Sequence, residues 1–281
     1  MKPILYILSC LISLNCFSQQ VNQAKLHFGN DPKQGKYFQN RGFKMYYEIY
    51  GKGEPLLIIH GNGGSISNFE KQIPYFATKY KVILADSRAH GKSIDLADSL
   101  SYEQLADDLN GLLDHLKIDS CNVIGWSDGG VEGLLLAIRH PEKVKKLAVT
   151  GANLIPDPII STDPWVVTTV LHEIDSIQQL PISNETKGAL KLRNLLIHEP
   201  HITHADLQKI ACPTLVIGGD QDVIVPRHTL EIAENIQKAN LWILPNSGHA
   251  TPIIYSDLFN KTVQTFFVTP YLKKERAAKF N

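Results

Sequence analysis

One short motif, Gly-x-Ser-x-Gly at residues 125–129, restricts the possible fold more than any other part of the sequence. The apolar run Cys121–Gly125 predicts a buried strand before it, and the stretch from about Gly129 to His140 predicts a helix after it. A chain that passes from strand to helix through one serine needs small neighbours, because larger side chains would collide in the strained turn. The turn would place the Ser127 hydroxyl beside the helix N-terminus, where backbone N–H groups are unpaired. An ordinary glycine-rich turn is the alternative, but this context favours a nucleophile.

The chain around the motif alternates apolar runs with amphipathic stretches. This order is typical of parallel strands joined by crossover helices, and uninterrupted apolar strands fit a sheet that is covered on both faces. The predicted strands are Phe43–Tyr50, Pro55–His60, Lys81–Asp86, Cys121–Gly125, Val144–Val149, Thr214–Gly218 and Leu241–Leu244. The predicted helices are Tyr102–Leu116 with Ser101 as its N-cap, Gly129–His140, Pro226–Ile236 and Tyr255–Phe267. The sequence therefore predicts an α/β fold.

Residues 153–209 interrupt this alternation. The stretch has no clear buried strand and is rich in proline, isoleucine and helix-compatible residues. It predicts a helical cap inserted between two strands of the sheet, not a separate domain. Five of its residues either line a substrate pocket under the cap or form the core of the cap: Trp165, Val166, Val167, Val170 and Leu171.

Two later loops supply partners for a nucleophilic serine. Asp222 follows the predicted strand Thr214–Gly218 and is the candidate acid, with Asp220 as its rival. His249 follows Leu241–Leu244 and is the candidate base. A serine nucleophile needs a base to take its proton and an acid to orient that base. The order serine, aspartate, histidine at strand ends is the order that this architecture uses.

Two backbone N–H groups are predicted to hold a negatively charged oxygen in the reaction. One belongs to Asp128, the residue after the candidate nucleophile, and the other to Asn62 in the glycine-rich loop after the strand Pro55–His60. A phosphate-binding role for that loop fails on spacing, because position 66 is isoleucine where a third glycine is needed. The Asp128 carboxylate either attracts a cationic substrate group or supports the turn through hydrogen bonds, and the second is favoured.

Together these motifs resemble the α/β-hydrolase superfamily, over about residues 43–267. The matching segments are His60-Gly61 with its glycine-rich loop, the segment from Asp86 to Ser93, the Ser127 turn, the Asp222 loop and His249. The turn and the later Gly151-Ala152-Asn153 resemble valacyclovir hydrolase and similar small-ester hydrolases. The resemblance implies an eight-stranded, mostly parallel sheet flanked by helices, a helical cap between strands 6 and 7, and hydrolysis without a cofactor. Some members use a nucleophilic aspartate, and the serine here argues against haloalkane dehalogenase and epoxide hydrolase activity.

The predicted function is a serine hydrolase that cleaves a carboxylic ester of a small to medium substrate. Carbon–carbon, amide or lactone hydrolysis on the same three residues remains open, as does a binding or receptor protein of this fold. Lysine plus arginine and aspartate plus glutamate both number 28, and this zero net charge argues against a nucleic-acid partner. No metal is expected: Pro200 interrupts the spacing of His198, His201 and His204, and Thr203 with Asp206 predicts a helix start there instead. Arg88 and His90 are interpreted as scaffold.

The first residues predict a secretory signal peptide. Lys2 precedes an apolar run over residues 4–14, which is too short to span a bilayer, and Cys16 and Ser18 precede a possible cleavage before Gln19. The predicted organisation is a signal peptide at 1–18 and an α/β-hydrolase domain at 19–281, secreted or periplasmic. A lipid anchor on Cys16 or Cys10 is the less favoured alternative. Cys121 and Cys212 would remain, and two buried free thiols are favoured over a disulfide.

Overall fold

The computed structural model describes residues 27–157 and 165–272. The predicted signal peptide with Cys10 and Cys16 lies outside the described residues, and so do the side chains of Trp165 and Val166. The expectation of export therefore stays a prediction. Within the described ranges, no helix has both the length and the apolar character that crossing a membrane requires.

Eight strands of the described chain form one sheet, in the order β1-β2-β4-β3-β5-β6-β7-β8. The strands are β1 (Lys36–Asn40), β2 (Phe43–Tyr50), β3 (Glu54–Ile59), β4 (Tyr80–Ala85), β5 (Cys121–Trp126), β6 (Val144–Thr150), β7 (Thr214–Gly219) and β8 (Ala239–Leu244). Strand β2 pairs antiparallel with β1 and with β4, and every other neighbouring pair is parallel. The expected mostly parallel, eight-stranded sheet is confirmed.

The helices occupy the stretches between the strands and the segment after the last strand. They are α1 (Gln72–Phe76), α2 (Tyr102–His115), α3 (Asp128–Arg139), α4 (Trp165–Gln178), α5 (Asn184–His198), α6 (His204–Leu207), α7 (Pro226–Glu234), α8 (Thr251–Ile254) and α9 (Ser256–Val268). Ser101 caps α2, as expected, by accepting a hydrogen bond from the Gln104 N–H at 3.2 Å. Pro226 begins α7, because its fixed φ suits the first helical position.

Each face of the sheet is covered by helices, which explains the uninterrupted apolar strands. Along β3, Leu57 and Ile59 face a core that includes α2 and α3. Leu56 and Ile58 face a second core that includes α1 and α9. Because successive side chains of a strand point to opposite faces, a strand buried on both faces needs apolar residues at every position.

The cap consists of α4, α5 and α6, which lie between β6 and β7 in the chain. Helices α4 and α5 pack against each other. The loop after β6 connects the cap to the sheet, since Leu154 accepts a hydrogen bond from Ile202 N–H at 2.9 Å and donates to His228 Nε2 at 3.0 Å. The predicted helical cap between strands 6 and 7 is confirmed.

A buried ion pair joins the loop after β4 to helix α2. Arg88 Nε and Nη2 donate to the two carboxylate oxygens of Asp108 at 2.6 and 2.9 Å, and Nη1 donates to Asp95 at 3.0 Å. The side chains of Arg88 and Asp108 are almost fully buried. A planar guanidinium matches a carboxylate in this two-bond geometry, and the arrangement places Arg88 in the scaffold.

Asp108→Asn is expected to lower the free energy of unfolding by about 2–3 kcal/mol, because it removes one of the two buried carboxylates that pair with Arg88 and leaves Asp95 as the other. Urea unfolding monitored by circular dichroism measures the change. The control is Asp114→Asn, which removes an exposed partner of Lys143 and is expected to cost less than about 1 kcal/mol. Equal losses in the two variants would contradict a structural role for the Arg88 pair.

Both cysteines of the described chain, Cys121 and Cys212, are free and buried. Burial raises the pKa of the Cys121 thiol to about 12. A thiol that stays protonated at neutral pH is a poor nucleophile and packs as a small apolar group. The favoured expectation of two buried free thiols agrees with this arrangement.

Candidate active site

Ser127 occupies a strained turn between β5 and α3. Its backbone φ is 58° and ψ is −123°, a conformation that costs energy for any residue except glycine. The glycines of the motif permit close backbone contacts on both sides of the turn. A Cβ at Gly125 would lie 2.0 Å from the Gly129 carbonyl oxygen, and a Cβ at Gly129 would lie 2.3 Å from the Ile59 carbonyl oxygen. Any larger residue at either position would therefore displace the turn that carries the serine.

The structure brings Ser127, His249 and Asp222 together. His249 Nε2 lies 2.8 Å from Ser127 Oγ, and His249 Nδ1 lies 2.7 Å from Asp222 Oδ1. Because the Asp222 carboxylate accepts hydrogen bonds, Nδ1 carries the proton and Nε2 is left to accept the serine hydroxyl. Asp222 is fully buried and follows β7, whereas His249 follows β8. The rival acid, Asp220, instead accepts a hydrogen bond from the Ser247 N–H at 3.3 Å.

Two residues that the sequence did not single out for a role here hold His249 in place. The Trp126 indole Nε1 donates to the His249 carbonyl oxygen at 2.8 Å. Gly151 has φ of 65°, and a Cβ there would lie 2.8 Å from His249 Cε1. The imidazole therefore fits only because residue 151 has no side chain. The segment Gly151-Ala152-Asn153 was noted for its resemblance to small-ester hydrolases, but the sequence did not indicate that Gly151 contacts His249.

The two predicted oxyanion donors border the nucleophile. Asp128 is the first residue of α3, so its backbone N–H has no acceptor within the helix. The loop after β3 runs against Ser127, since a Cβ at Gly61 would lie 2.9 Å from Ser127 Cβ. Asn62 follows in this loop, and both Asn62 and Asp128 line the cavity at the serine. The placement fits their predicted role, which remains a prediction.

A cavity of about 340 Å³ separates these residues from the cap. The described lining combines several polar residues with aliphatic side chains of the cap and of the loop after β7. The polar lining residues are Asn62, Ser127, Asp128, Asn153, Asp157 and His249, and the aliphatic ones include Ile155, Val167, Val170, Leu196, Ile197, Val223 and Ile224. Of the cap residues with two open interpretations, Val167 and Val170 line the cavity, whereas Leu171 is half exposed and does not. The described lining includes two carboxylates and no lysine or arginine.

The Asp128 carboxylate is engaged inside the protein. It is 3% exposed, and it accepts hydrogen bonds from Asn62 Nδ2 at 2.9 Å and from the Tyr102 hydroxyl. Burial raises the pKa of Asp128 above its usual range. These contacts favour the interpretation that Asp128 supports the turn over the alternative that it attracts a cation.

The three spaced histidines are not part of the described lining of this cavity. His198 ends α5 and His204 begins α6, where Thr203 and Asp206 form the expected capping box. His204 Nε2 lies 2.7 Å from Glu231 Oε1. Among residues 27–157 and 165–272, no group of three or more histidine, cysteine or acidic side chains is arranged to hold a metal ion.

A second acid lies beneath the site, one turn along α3. Glu132 is 1% exposed, and the Ser87 hydroxyl donates to its Oε2 at 3.1 Å. Burial, with a contribution from the charge of Asp128, raises the pKa of Glu132 well above its usual range. A carboxyl group with such a pKa is favoured in its neutral form in the folded protein.

Glu132→Gln is expected to become more stable relative to the parent protein as the pH rises. The folded state holds the Glu132 proton more tightly than the unfolded state, so its stabilising contribution is complete below the ordinary glutamate pKa of 4.5 and is lost as the pH rises from there through the raised pKa of the folded state. Glutamine does not titrate, and the difference in unfolding free energy should shift towards the variant by at most about 1.4 kcal/mol per pH unit.

Urea unfolding of both proteins at acidic, neutral and alkaline pH measures this shift. Glu142→Gln replaces an exposed acid and serves as the control, for which a nearly constant difference is expected. A difference for Glu132→Gln that does not change with pH would contradict the raised pKa.

The chain is similar to known hydrolases in sequence and in fold. A model of the alpha/beta hydrolase fold family matches residues 54–201, more than half of the chain. The serine hydrolase BPHL of Homo sapiens is 26% identical over 259 residues, which cover 85% of this chain and 88% of that protein. The 2-hydroxymuconate semialdehyde hydrolase of Pseudomonas sp. strain CF600 is 27% identical over 268 residues, covering 84% and 95%. The crystal structure of the enol-lactonase from Burkholderia xenovorans LB400 has a TM-score of 0.70 and 25% identity, covering 83% of this chain and 100% of that chain.

Proposed function

The chain belongs to the α/β-hydrolase fold family, and from this premise we propose that it is a serine hydrolase that cleaves carboxylic esters of small to medium size. One observation carries the proposal: hydrogen bonds run without a break from Asp222 through His249 to Ser127. This series ends at the wall of a cavity that can receive a substrate. A protein that only binds a ligand has no need for an ordered proton path to a strained serine.

In the proposed reaction, Ser127 Oγ attacks the ester carbonyl carbon while His249 Nε2 takes the hydroxyl proton. The carbonyl π electrons move to the oxygen, and the backbone N–H groups of Asn62 and Asp128 stabilise the resulting oxyanion. Collapse of this intermediate expels the alcohol, which receives the proton from His249 and leaves the acyl group on Ser127. Water then attacks the acyl carbon with His249 again as base, and the acid departs. Asp222 keeps the imidazole in the required tautomer and stabilises its protonated form.

The cavity supports a neutral substrate with an apolar part. Its aliphatic lining favours a hydrocarbon group, and its volume lies at the small end of the range for ligand pockets. The described lining holds the acids Asp128 and Asp157 and no lysine or arginine, so it offers a negatively charged acyl group no cationic partner. A neutral ester is therefore favoured over an anionic substrate such as the dienoate in the name of a Burkholderia cepacia hydrolase that this chain resembles.

The test is a panel of p-nitrophenyl esters from acetyl to dodecanoyl, compared with matched anilides, a lactone and an anionic dienoate ketone. We expect the highest kcat/KM for short neutral esters, with a decrease for the longest acyl chains because the cavity is small. A higher kcat/KM for the anilide, the lactone or the dienoate would show that the bond type is wrong while leaving the serine mechanism in place. No turnover of any substrate by the folded protein would support a binding protein instead.

A further inference from the structure

The side chain of Asn62 links the cap to the helix that follows the nucleophile. Its Nδ2 donates to Asp128 Oδ2 at 2.9 Å and to the Leu192 carbonyl oxygen at 3.1 Å, while its Oδ1 accepts from Arg193 Nη1 at 3.0 Å. Because arginine can only donate and a carbonyl can only accept, these partners fix which end of the amide points where. Leu192 and Arg193 both belong to cap helix α5.

The loop is anchored just before Asn62, where the Gly61 carbonyl oxygen accepts from Gly64 N–H at 3.0 Å and lies 2.9 Å from His60 Nδ1. After Asn62 comes Gly63, which has φ of 65° with open space around the position of a Cβ. Glycine on both sides gives this part of the loop more conformational freedom than other residues would. An oxyanion donor, however, must lie within about 0.5 Å of its productive position to be effective. The three side-chain hydrogen bonds therefore add precision at Asn62 itself.

Arg193 approaches Asn62 from the cap. Its Nε pairs with the half-exposed carboxylate of Glu173 on α4, and its Nη1 donates to Asn62 Oδ1. The neighbouring cation on α5, Lys191, makes a different contact: it binds Asp95 and the Ala97 carbonyl oxygen and does not touch Asn62. Lys191 therefore joins α5 to the loop after β4, whereas Arg193 joins α5 to Asn62.

We propose that Arg193 is a positioning residue that fixes the Asn62 backbone N–H through the Asn62 side chain, so that the oxyanion hole is complete only when cap helix α5 is seated. This inference rests on the proposed function, because it concerns the same serine. It makes the cap part of the catalytic apparatus in addition to its role as a wall of the cavity. Nothing in the sequence pattern indicates this, since residues 62 and 193 are 131 positions apart.

The experiment uses four variants of the full chain. Arg193→Met removes the donors and keeps an unbranched side chain, and Asn62→Ala removes the amide but keeps the backbone N–H. The double variant tests whether the two residues act through one another. Glu173→Gln is the matched control, because it neutralises the other partner of Arg193 and leaves the contact with Asn62. Each variant is measured for kcat and KM on the best ester, for the rate of Ser127 labelling by a fluorophosphonate, and for melting temperature.

We expect kcat of Arg193→Met to fall by about 10–100-fold with KM changed less than about threefold, a smaller loss than the removal of a whole oxyanion donor. Asn62→Ala should lose a similar factor, and the double variant should lose no more than the larger single loss. The labelling rate should fall in parallel, because the phosphoryl oxygen occupies the oxyanion hole when Ser127 Oγ attacks phosphorus and fluoride leaves. Glu173→Gln should stay within about threefold.

Three results would overturn the inference. Losses that multiply in the double variant would mean that the residues act independently. A change in KM alone would assign Arg193 to substrate binding, and equal losses in Arg193→Met and Glu173→Gln would assign it to general stability of the cap. Labelling does not need an ester substrate, so a protein that is labelled but hydrolyses no ester would refute the proposed ester activity while the labelling rates still decide the role of Arg193. Absence of labelling in the parent protein would refute both.

Discussion

Ser127→Ala is expected to lower kcat for ester hydrolysis by about 10⁶-fold, the largest effect of any single substitution in this protein. The variant loses the oxygen that forms the acyl-enzyme, and His249 Nε2 then has no hydroxyl within 2.8 Å from which to take a proton. Any remaining hydrolysis would come from substrate binding and the oxyanion donors alone. The measurement is kcat on the best ester of the panel, with mass spectrometry of the trapped acyl-enzyme in the parent protein.

Ser67→Ala is the matched control for this prediction. Ser67 is exposed and lies on the loop after β3, where its hydroxyl contacts that of Ser65 and not the cavity lining. We expect its kcat to stay within about twofold of the parent value. Ester hydrolysis that persists in Ser127→Ala at more than about one hundredth of the parent rate would refute Ser127 as the nucleophile.

Asp222→Asn is expected to lower kcat by about 10⁴-fold, the second largest effect. An asparagine amide can donate a hydrogen bond to His249 Nδ1, and that contact would favour the tautomer with the proton on Nε2. The imidazole could then no longer accept the Ser127 proton. The same substitution at Asp220 is the control, since Asp220 contacts the Ser247 N–H and is expected to change kcat by less than about tenfold.

The pH dependence of kcat separates a change of tautomer from a displaced histidine. If Asp222 only sets the tautomer, then hydroxide or a stronger external base should restore part of the activity of Asp222→Asn at high pH. A loss in Asp220→Asn as large as that in Asp222→Asn would contradict the assignment of the acid.

Most strands and helices could be predicted because their signals are local. Continuous apolar runs marked the parallel strands, and Ser101 and Pro226 marked two helix starts that the structure has. Strand β1 was not predicted, since most of Lys36–Asn40 is exposed or half exposed and the apolar signal is weak. The number of strands came from the family resemblance, and their order in the sheet was not predicted, because periodicity carries no information about which strands are neighbours.

The site shows the same division between local and long-range information. Ser127, Asp222 and His249 could be identified because each follows a strand, and the carboxyl ends of parallel strands meet at one edge of a sheet. Trp126, Gly151 and Arg193 were not assigned their roles. Their contacts with His249 and Asn62 connect positions far apart in the chain, and only the folded arrangement brings them together.

The position of the cap between β6 and β7 has a consequence for how proteins of this type can diversify. Ser127, His249 and Asp222 all lie outside α4, α5 and α6. The cap could therefore be exchanged for the cap of a relative without disturbing the hydrogen bonds among these three residues. Such a chimera would change which substrates fit the cavity. If Arg193 positions Asn62 as proposed, the chimera would keep its kcat only when the new cap supplied a hydrogen-bond donor to Asn62 Oδ1. Substrate range and turnover would then be inherited through the same exchanged segment.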